Sequence, residues 1–436
     1  MKQKKKNEGK LANSSICAPK IQKKKKKTKK ANQLIVCSAP QKLNQISRGK
    51  CVAEPSNDDK TDQMDVDRRR TTAIHFKEEI IMEILSRLPV QSLLRFKCVS
   101  KFWEALISDP YFKMKHLNFA KNDQDSQKLL ISQMCPKDFI FSIYCCPLSS
   151  LQPVEDVQKL DFPLNPKPNR FVIRCCYDGL VVIQVLDNLD GYRHNLLLWN
   201  PSTRESIVLP ALEFKLDDCS RFGMGYDSTS GEYKILHVHQ VLDRSITNEI
   251  LALKGGFWRR IDKHPRGFLI NLFFTPSLAF VHAAFHWIGL SRKKHFVVVS
   301  FSISNEVYRE IPLPEETLSL RGRAYFGVSM LEGMLCIHSN TLHQKRFTFK
   351  LWVLKQYDVK ESWIPLVALE DPLIFNAVPT YKFANGEVLF LCNFFGDLEK
   401  AFRTPSGPFV SWPQCEMHLD GYAFTESLIS PKSLTY

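Results

Sequence analysis

Two signatures recur along this chain about 52 residues apart, and that repeat constrains the fold more than any single motif. The first is an apolar strand, a polar turn carrying adjacent basic and acidic residues, and a second apolar strand with prolines. It reads LLLWNPSTRESIVLP at 196–210, VSFSISNEVYREIPLP at 299–314 and LWVLKQYDVKESWIPL at 351–366. The pairs Arg204–Glu205, Arg309–Glu310 and Lys360–Glu361 stand 105 and 51 residues apart, and GGFWRRID at 255–262 falls midway through the longer gap as a degenerate copy. The second signature is a glycine-containing hairpin turn before an apolar strand, as in YDGLVVIQV, TSGEYKILHV, LEGMLCIHS and ANGEVLFLC. Gly179, Gly231, Gly333 and Gly386 stand 52, 102 and 53 residues apart; the missing copy falls at AAFHWIG, 283–289, where Phe285 takes the glycine's place. Kelch-type propeller blades repeat at about 50 residues, with four antiparallel strands each. Five periods are visible between about 170 and 420, and residues 128–165 can supply a sixth blade, closed by strands from the C-terminal end. The expected fold is mostly β, with a β-propeller-like domain of about six blades over 125–436. An irregular β-sandwich is the competing reading.

Residues 71–120 have a different texture. In HFKEEIIMEILSRLP, apolar residues at Ile80, Ile81, Ile84, Leu85 and Leu88 mark one face of a helix. Glu78 and Glu79 sit in its first turn and Arg87 in its last, the order the helix dipole favours, and Pro89 ends it. Phe96, Val99, Trp103 and Leu106 continue as a second helical stripe; Asp109 suits an N-cap and Pro110 the first position of a third helix. Three short helices this crowded with apolar residues hold more than some 45 residues can bury among themselves. The surplus predicts a partner.

The residues Phe76 to Phe112 closely resemble the F-box: E-I-L-S-R-L-P at Glu83–Pro89, S-L-L-R-F at Ser92–Phe96, C-V-S-K-x-W at Cys98–Trp103 and L-I-S-D-P-x-F at Leu106–Phe112. The remainder resembles the plant F-box-associated interaction domain, through W-N-P-S-T-R-E at 199–205, G-Y-D at 225–227 and F-H-W at 285–287. The resemblance implies a non-catalytic substrate receptor. The F-box would dock on a Skp-type adaptor and through it on a cullin scaffold in an SCF ubiquitin ligase. The C-terminal domain would recruit an unidentified protein substrate for ubiquitination. Candidate adaptor-binding residues are Phe76, Ile80, Ile84, Leu88, Pro89, Leu93, Phe96, Val99 and Trp103; about half of them should only hold the helices together. One departure stands out: the family opens with Leu-Pro where this chain has Phe76–Lys77. Proline's preset φ is lost and a cation is added at a helix N-terminus, which predicts weaker adaptor binding.

The formal charge of +15 suggests nucleic acid until it is placed along the chain. Residues 1–70 hold 20 Lys and Arg against 7 Asp and Glu, whereas the other 366 residues hold 40 against 38. A folded nucleic-acid reader would carry its own basic face. The Lys-, Asn-, Gln- and Ser-rich stretch 1–70 reads as a disordered tail. Its tract Lys23, Lys24, Lys25, Lys26, Lys27, Lys29 and Lys30 reads as a nuclear-import signal, so the expected location is nucleus or cytoplasm. Nucleic-acid binding through the tail remains the alternative function, with steep salt dependence as its mark.

Thirteen cysteines without any C-x-x-C spacing fit reduced thiols. Phe268 to Leu290 runs 23 residues without a charged Asp, Glu, Lys or Arg, but its polar residues and phenylalanines read as two buried strands joined by the TPS turn, not a membrane span. No cofactor is expected and no metal. His237 and His239 alternate on a strand without a third ligand, Ala283 stands where a zincin glutamate would separate His282 and His286, and the glycines of RFGMGYD read as a tight strand turn.

Overall fold

The structure is a computed structural model. It describes residues 77–134, 140–149, 157–186, 196–213, 216, 220–240, 246–261, 269–270, 277–291, 295–320, 324–343, 346–371, 374–394, 398–404, 407–408 and 419–435. The tail expected over 1–70, its lysine tract and Phe76 lie outside these residues.

Six antiparallel sheets form among the described residues. Their innermost strands are Leu419–Thr425, Phe171–Tyr177, Ser220–Asp227, Ala279–Val281, Ala324–Leu331 and Ile374–Lys382. Each touches the next and the last touches the first, so the ring closes. Blade 2 shows the plan: Phe171–Tyr177, Leu180–Val185, Leu196–Asn200 and Glu205–Val208 pair in sequence order. Blade 1 departs from it. The C-terminal strand Leu419–Thr425 pairs with Gln127–Met134 in the register Gln127↔Thr425 to Gln133↔Leu419, followed by Phe141–Pro147 and Gln158–Leu160. The two ends of the domain are thereby stapled, as expected from the unpaired blade in 128–165.

The core lies between successive sheets. Leu198 and Val182 of blade 2, for example, pack with Phe222, Met224 and Ile235 of blade 3. Middle strands are therefore covered on both faces, and Leu180–Val185 and Phe296–Ser302 read as apolar runs, not as alternations.

The repeat found in the sequence maps onto the hairpins, with two corrections. Two-residue turns between the first and second strands carry positive φ at both positions: Asp178 (52°) and Gly179 (77°), His282 (48°) and Ala283 (55°), Glu332 (49°) and Gly333 (74°). Ala283, not Phe285, thus stands in the glycine's place in blade 4. Phe285 lies in the strand Ala284–Leu290, which follows the short strands Leu269–Ile270 and Ala279–Val281; the turn expected at TPS falls on Thr275 and Pro276, outside the described residues. Gly223 and Gly225 are not in a turn either. They lie inside Ser220–Asp227, where aromatic rings of blade 4 press on the backbone: a Cβ on Gly225 would meet the Phe280 ring at 2.4 Å, and one on Gly223 the Phe285 ring at 2.8 Å.

The N-terminal segment folds as four helices, one more than the sequence suggested: α1 (Glu78–Leu85), α2 (Val90–Phe96), α3 (Lys101–Ser108) and α4 (Pro110–Asn122). The stripe Phe96–Val99–Trp103–Leu106 spans a break. Ser100 leaves the helical region and its hydroxyl accepts from Trp103 N–H at 3.2 Å, starting α3 anew. α1 stops at Leu85, so Arg87 lies beyond it and Pro89 caps α2. The Asp109 carboxylate accepts from the N–H groups of Tyr111 and Phe112, with Pro110 opening α4, as expected. Among the described residues no helix is long and apolar enough to cross a membrane.

Candidate functional site

The helices divide the apolar residues of 76–112 into two sets. Leu93 is fully buried with Leu85, Val90, Leu106, Ile107 and Phe112, and half-buried Leu88, Phe96 and Trp103 pack against that core. The Phe96 and Trp103 rings meet edge to face at 5.3 Å. Ile80, Ile84 and Val99 point outward instead, 46%, 54% and 63% exposed, and Pro89 is exposed with them. Ile80 and Ile84 stand one turn apart on α1. Phe102, 45% exposed beside Val99, escaped the sequence reading because Trp103 seemed to account for that turn. Fully burying a side chain of this size yields about 1.5–3 kcal/mol, of which these half-exposed residues forgo about half in the isolated chain.

Polar groups around this surface are paired locally. Lys115 Nζ donates to Glu83 Oε1 at 2.5 Å, tying α4 to α1, and this hydrogen bond and charge hold the Glu83 carboxyl below its ordinary range. Lys101 and Glu104 pair at 2.8 Å. His116 Nε2 lies 3.0 Å from the Leu88 carbonyl oxygen, and burial lowers the proton affinity of its ring. Lys77 occupies the N-cap of α1 with φ −60° and no capping side chain.

The other side of the helices is fastened to blade 2 and to the segment after the last strand. Leu428 enters the helical core, while its neighbour Ile429 and Leu117 of α4 enter the core between blades 2 and 3. Asn200 joins the parts. Its amide donates to the carbonyl oxygens of Ser427 (3.0 Å) and Ile429 (2.7 Å), while its own oxygen accepts from Ser202 N–H at 2.8 Å. The Ser202 carbonyl accepts from Gln91 Nε2 of α2 at 2.9 Å. Lys121 of α4 meets the buried carboxylate of Asp178 at 2.6 Å, and Tyr233 donates to it at 3.2 Å. Burial still raises the Asp178 pKa despite the lysine. Asp178 and Ser202 lie on the first-to-second and third-to-fourth turns of blade 2. In an antiparallel sheet both turns fall at one end, so the helices cover that end.

A family model described as the F-box associated beta propeller domain matches residues 127–399, and the F-box domain model matches 78–115. The chain belongs to the plant F-box proteins with an F-box associated β-propeller. An F-box/kelch-repeat protein of Arabidopsis thaliana is 26% identical over 377 residues, covering 82% of this chain and 96% of its own. The Arabidopsis F-box protein CPR1 is 25% identical over 320 residues, covering 67% and 73%. This domain pair is that of an SCF-type substrate receptor.

In this F-box protein the landmark motifs of the propeller build structure. Trp199 is buried between blades 1 and 2, and Asn200 is the bracket described above. Asp227 of G-Y-D closes the blade 3 turn by accepting from Thr229 N–H (3.0 Å), Ser230 Oγ (2.9 Å), Lys234 Nζ (2.6 Å) and, from blade 4, Ser304 Oγ (2.6 Å). Phe285 of F-H-W covers Gly223, and His286 Nε2 lies 2.7 Å from the Tyr357 hydroxyl of blade 5. His237 and His239 do share a face, 6.0 Å between ring centroids. Yet His237 is held by Glu249 at 3.1 Å and stacked on Phe222, and burial lowers its pKa. Among the described residues no cluster of three His, Cys, Asp or Glu could hold a metal ion. An axial cavity of about 150 Å³ touches all six inner strands, including Cys175, Met224, Ala279, Val328, Val378 and Tyr422. Among the described residues its lining carries no charged side chain, and burial pushes the Cys175 and Cys176 thiols well above their ordinary range.

Proposed function

We propose that this protein is the non-catalytic substrate-recognition subunit of an SCF-type ubiquitin ligase, binding a Skp-type adaptor, and through it a cullin, by the outer face of its F-box. The observation that carries the reading is the set of large apolar side chains left exposed while the helical core beneath is already packed: Ile80 and Ile84 on α1, Val99 in the turn before α3, and Phe102 on α3. Exposed large apolar side chains among locally paired charges such as Glu83–Lys115 and Lys101–Glu104 suit a protein interface. Pro89 is exposed as well. Leu93 belongs to the internal core, while Leu88, Phe96 and Trp103 support the face from beneath.

The propeller receives the protein target at the end of its blades away from the helices, since the F-box and the C-terminal segment take up the near end of blade 2. The lysine tract at 23–30 directs the receptor to the nucleus, which a fluorescent fusion with those lysines changed to glutamine tests by its redistribution to the cytoplasm. The experiment for the main reading is co-purification of the full chain with a plant Skp-type adaptor and cullin. Targets are then the proteins that accumulate with, and are still captured by, the full chain carrying Ile84→Glu and Val99→Glu, exposed changes that leave the packing of the helices on the propeller intact. A full chain that recovers no adaptor would refute the proposal.

A further inference from the structure

A cleft of about 450 Å³ opens where the F-box, blade 2 and the C-terminal segment meet. Three lysines from three places in the sequence line it: Lys97 after α2, Lys113 on α4 and Lys432 near the C-terminus. None of the three is ion-paired within the described residues, whereas Lys101, Lys115 and Lys121 of the helices each find a carboxylate. Burial holds the Lys113 pKa down and the nearby charge of Lys97 adds to this, while the Glu205 and Asp109 carboxylates oppose it. Among the described residues Glu205 is the one carboxylate in the lining. Hydroxyls complete it: Thr203 Oγ1 accepts from Glu205 N–H at 3.4 Å, which leaves its proton free, and the Ser430 hydroxyl has no partner among the described residues.

Placing like charges together in a partly desolvated seam opposes the docking of helices on propeller. We propose that the seam is a binding site for a phosphate-bearing small molecule, held through a dianionic phosphate by Lys97, Lys113 and Lys432. Among the described residues the lining sets three lysines against the single carboxylate of Glu205, with Asp109 acting on Lys113 and Glu104 on Lys97 from outside it, so the lining itself keeps an excess of positive charge for a phosphate dianion to meet. Free hydroxyl protons from Thr203 and Ser430 suit its remaining oxygens. Among the described residues the lining holds no arginine; its lysines act as point charges, the way lysine binds phosphate. The cleft lies within the size range of small-molecule sites, leaving room for the body of the ligand. Because all three parts of the chain contribute, the bound anion ties the F-box to the propeller. This assignment is independent of adaptor binding.

The tail's own lysines would bind any polyanion, so the test uses the full chain with Lys23–Lys27, Lys29 and Lys30 changed to glutamine. Titration calorimetry with inorganic pyrophosphate, and with inorganic phosphate, should show saturable one-to-one binding and a matching rise in melting temperature. Sulfate at equal ionic strength should bind at least tenfold more weakly than pyrophosphate. Lys97→Gln/Lys113→Gln should weaken binding at least tenfold while leaving the ligand-free melting temperature unchanged or higher, because a repulsion has been removed. Lys432→Gln, at the exposed rim, gives the same direction without touching the F-box helices. Absence of saturable binding, equal binding of sulfate, or undiminished affinity in both variants would overturn the site.

Discussion

Replacing Leu428 with alanine separates an F-box that folds by itself from one completed by the far end of the chain. Leu428 is 3% exposed and packs among Leu85, Val90, Leu93 and Phe112, some 330 residues away in sequence. Truncation removes about three buried methyl or methylene groups, at roughly 0.8 kcal/mol each. A sealed cavity would add to this, and buried Leu→Ala changes span about 2–5 kcal/mol. Here Leu428 also lines the seam cleft, so water can enter the vacated space and the cavity contribution stays small. The expected loss is therefore in the lower half of that range, about 2–3 kcal/mol. It should fall on the F-box first. Amide exchange in α2 and α3 should accelerate by about 30- to 150-fold, given that 1.4 kcal/mol is a factor of ten, while the strands of blades 4 and 5 keep their protection. Urea unfolding followed by hydrogen exchange and mass spectrometry measures both. A loss below 1 kcal/mol, or acceleration spread evenly over the propeller, would refute the coupling.

Three further outcomes follow from particular contacts. Lys121→Met strands the Asp178 carboxylate in the seam and should cost about 1–3 kcal/mol, reduced by the lysine's partial exposure; the double variant with Asp178→Asn should recover most of it in chemical denaturation. Burial holds the histidines His286 and His338 down to about 4 and about 3. The unfolded chain therefore takes up their protons first, and stability is complete above about pH 7 and falls as the pH drops from 6.5 toward 4. His338→Phe should remove about 2 kcal/mol of the decline between pH 7 and pH 5; an unchanged decline would contradict the assignment. Lys77→Pro suits the existing φ of −60° and should stabilise the helical segment by about 0.4–1 kcal/mol, with tighter adaptor binding read by calorimetry.

Much of the fold was legible because a propeller blade repeats its turn chemistry. Gly179 and Gly333 sit at positive φ where a two-residue hairpin requires it, and their spacing carried the period. The same logic misplaced the blade 4 copy: Ala283 accepts the left-handed backbone without a glycine to announce it. Gly223 and Gly225 were read as a turn because a strand gives no local sign that rings from the next blade need the space. The F-box was legible as a motif, but its outward and inward residues were not, since Ile84 and Leu85 are equally apolar. The direction of each depends on where α4 and Leu428 pack. The seam was hidden for the same reason. Gln91, Asn200, Asp178 and Leu428 come together only when the C-terminal strand closes blade 1. The Asn-Pro-Ser-Thr turn was the one local hint that a buried amide bracket lay there.

The central claim is that the exposed apolar face of the F-box is an adaptor interface. Its most direct test is calorimetric binding of a plant Skp-type adaptor to the full chain and to Ile84→Glu/Val99→Glu. Both positions are more than half exposed, so folding should be spared and the melting temperature should stay within about 2 °C, as expected for surface changes within about 0.5 kcal/mol. Placing two carboxylates in an apolar interface should weaken binding by at least a hundredfold. Retention of full affinity by the double variant, with the wild-type chain binding the adaptor, would contradict the assignment of this face.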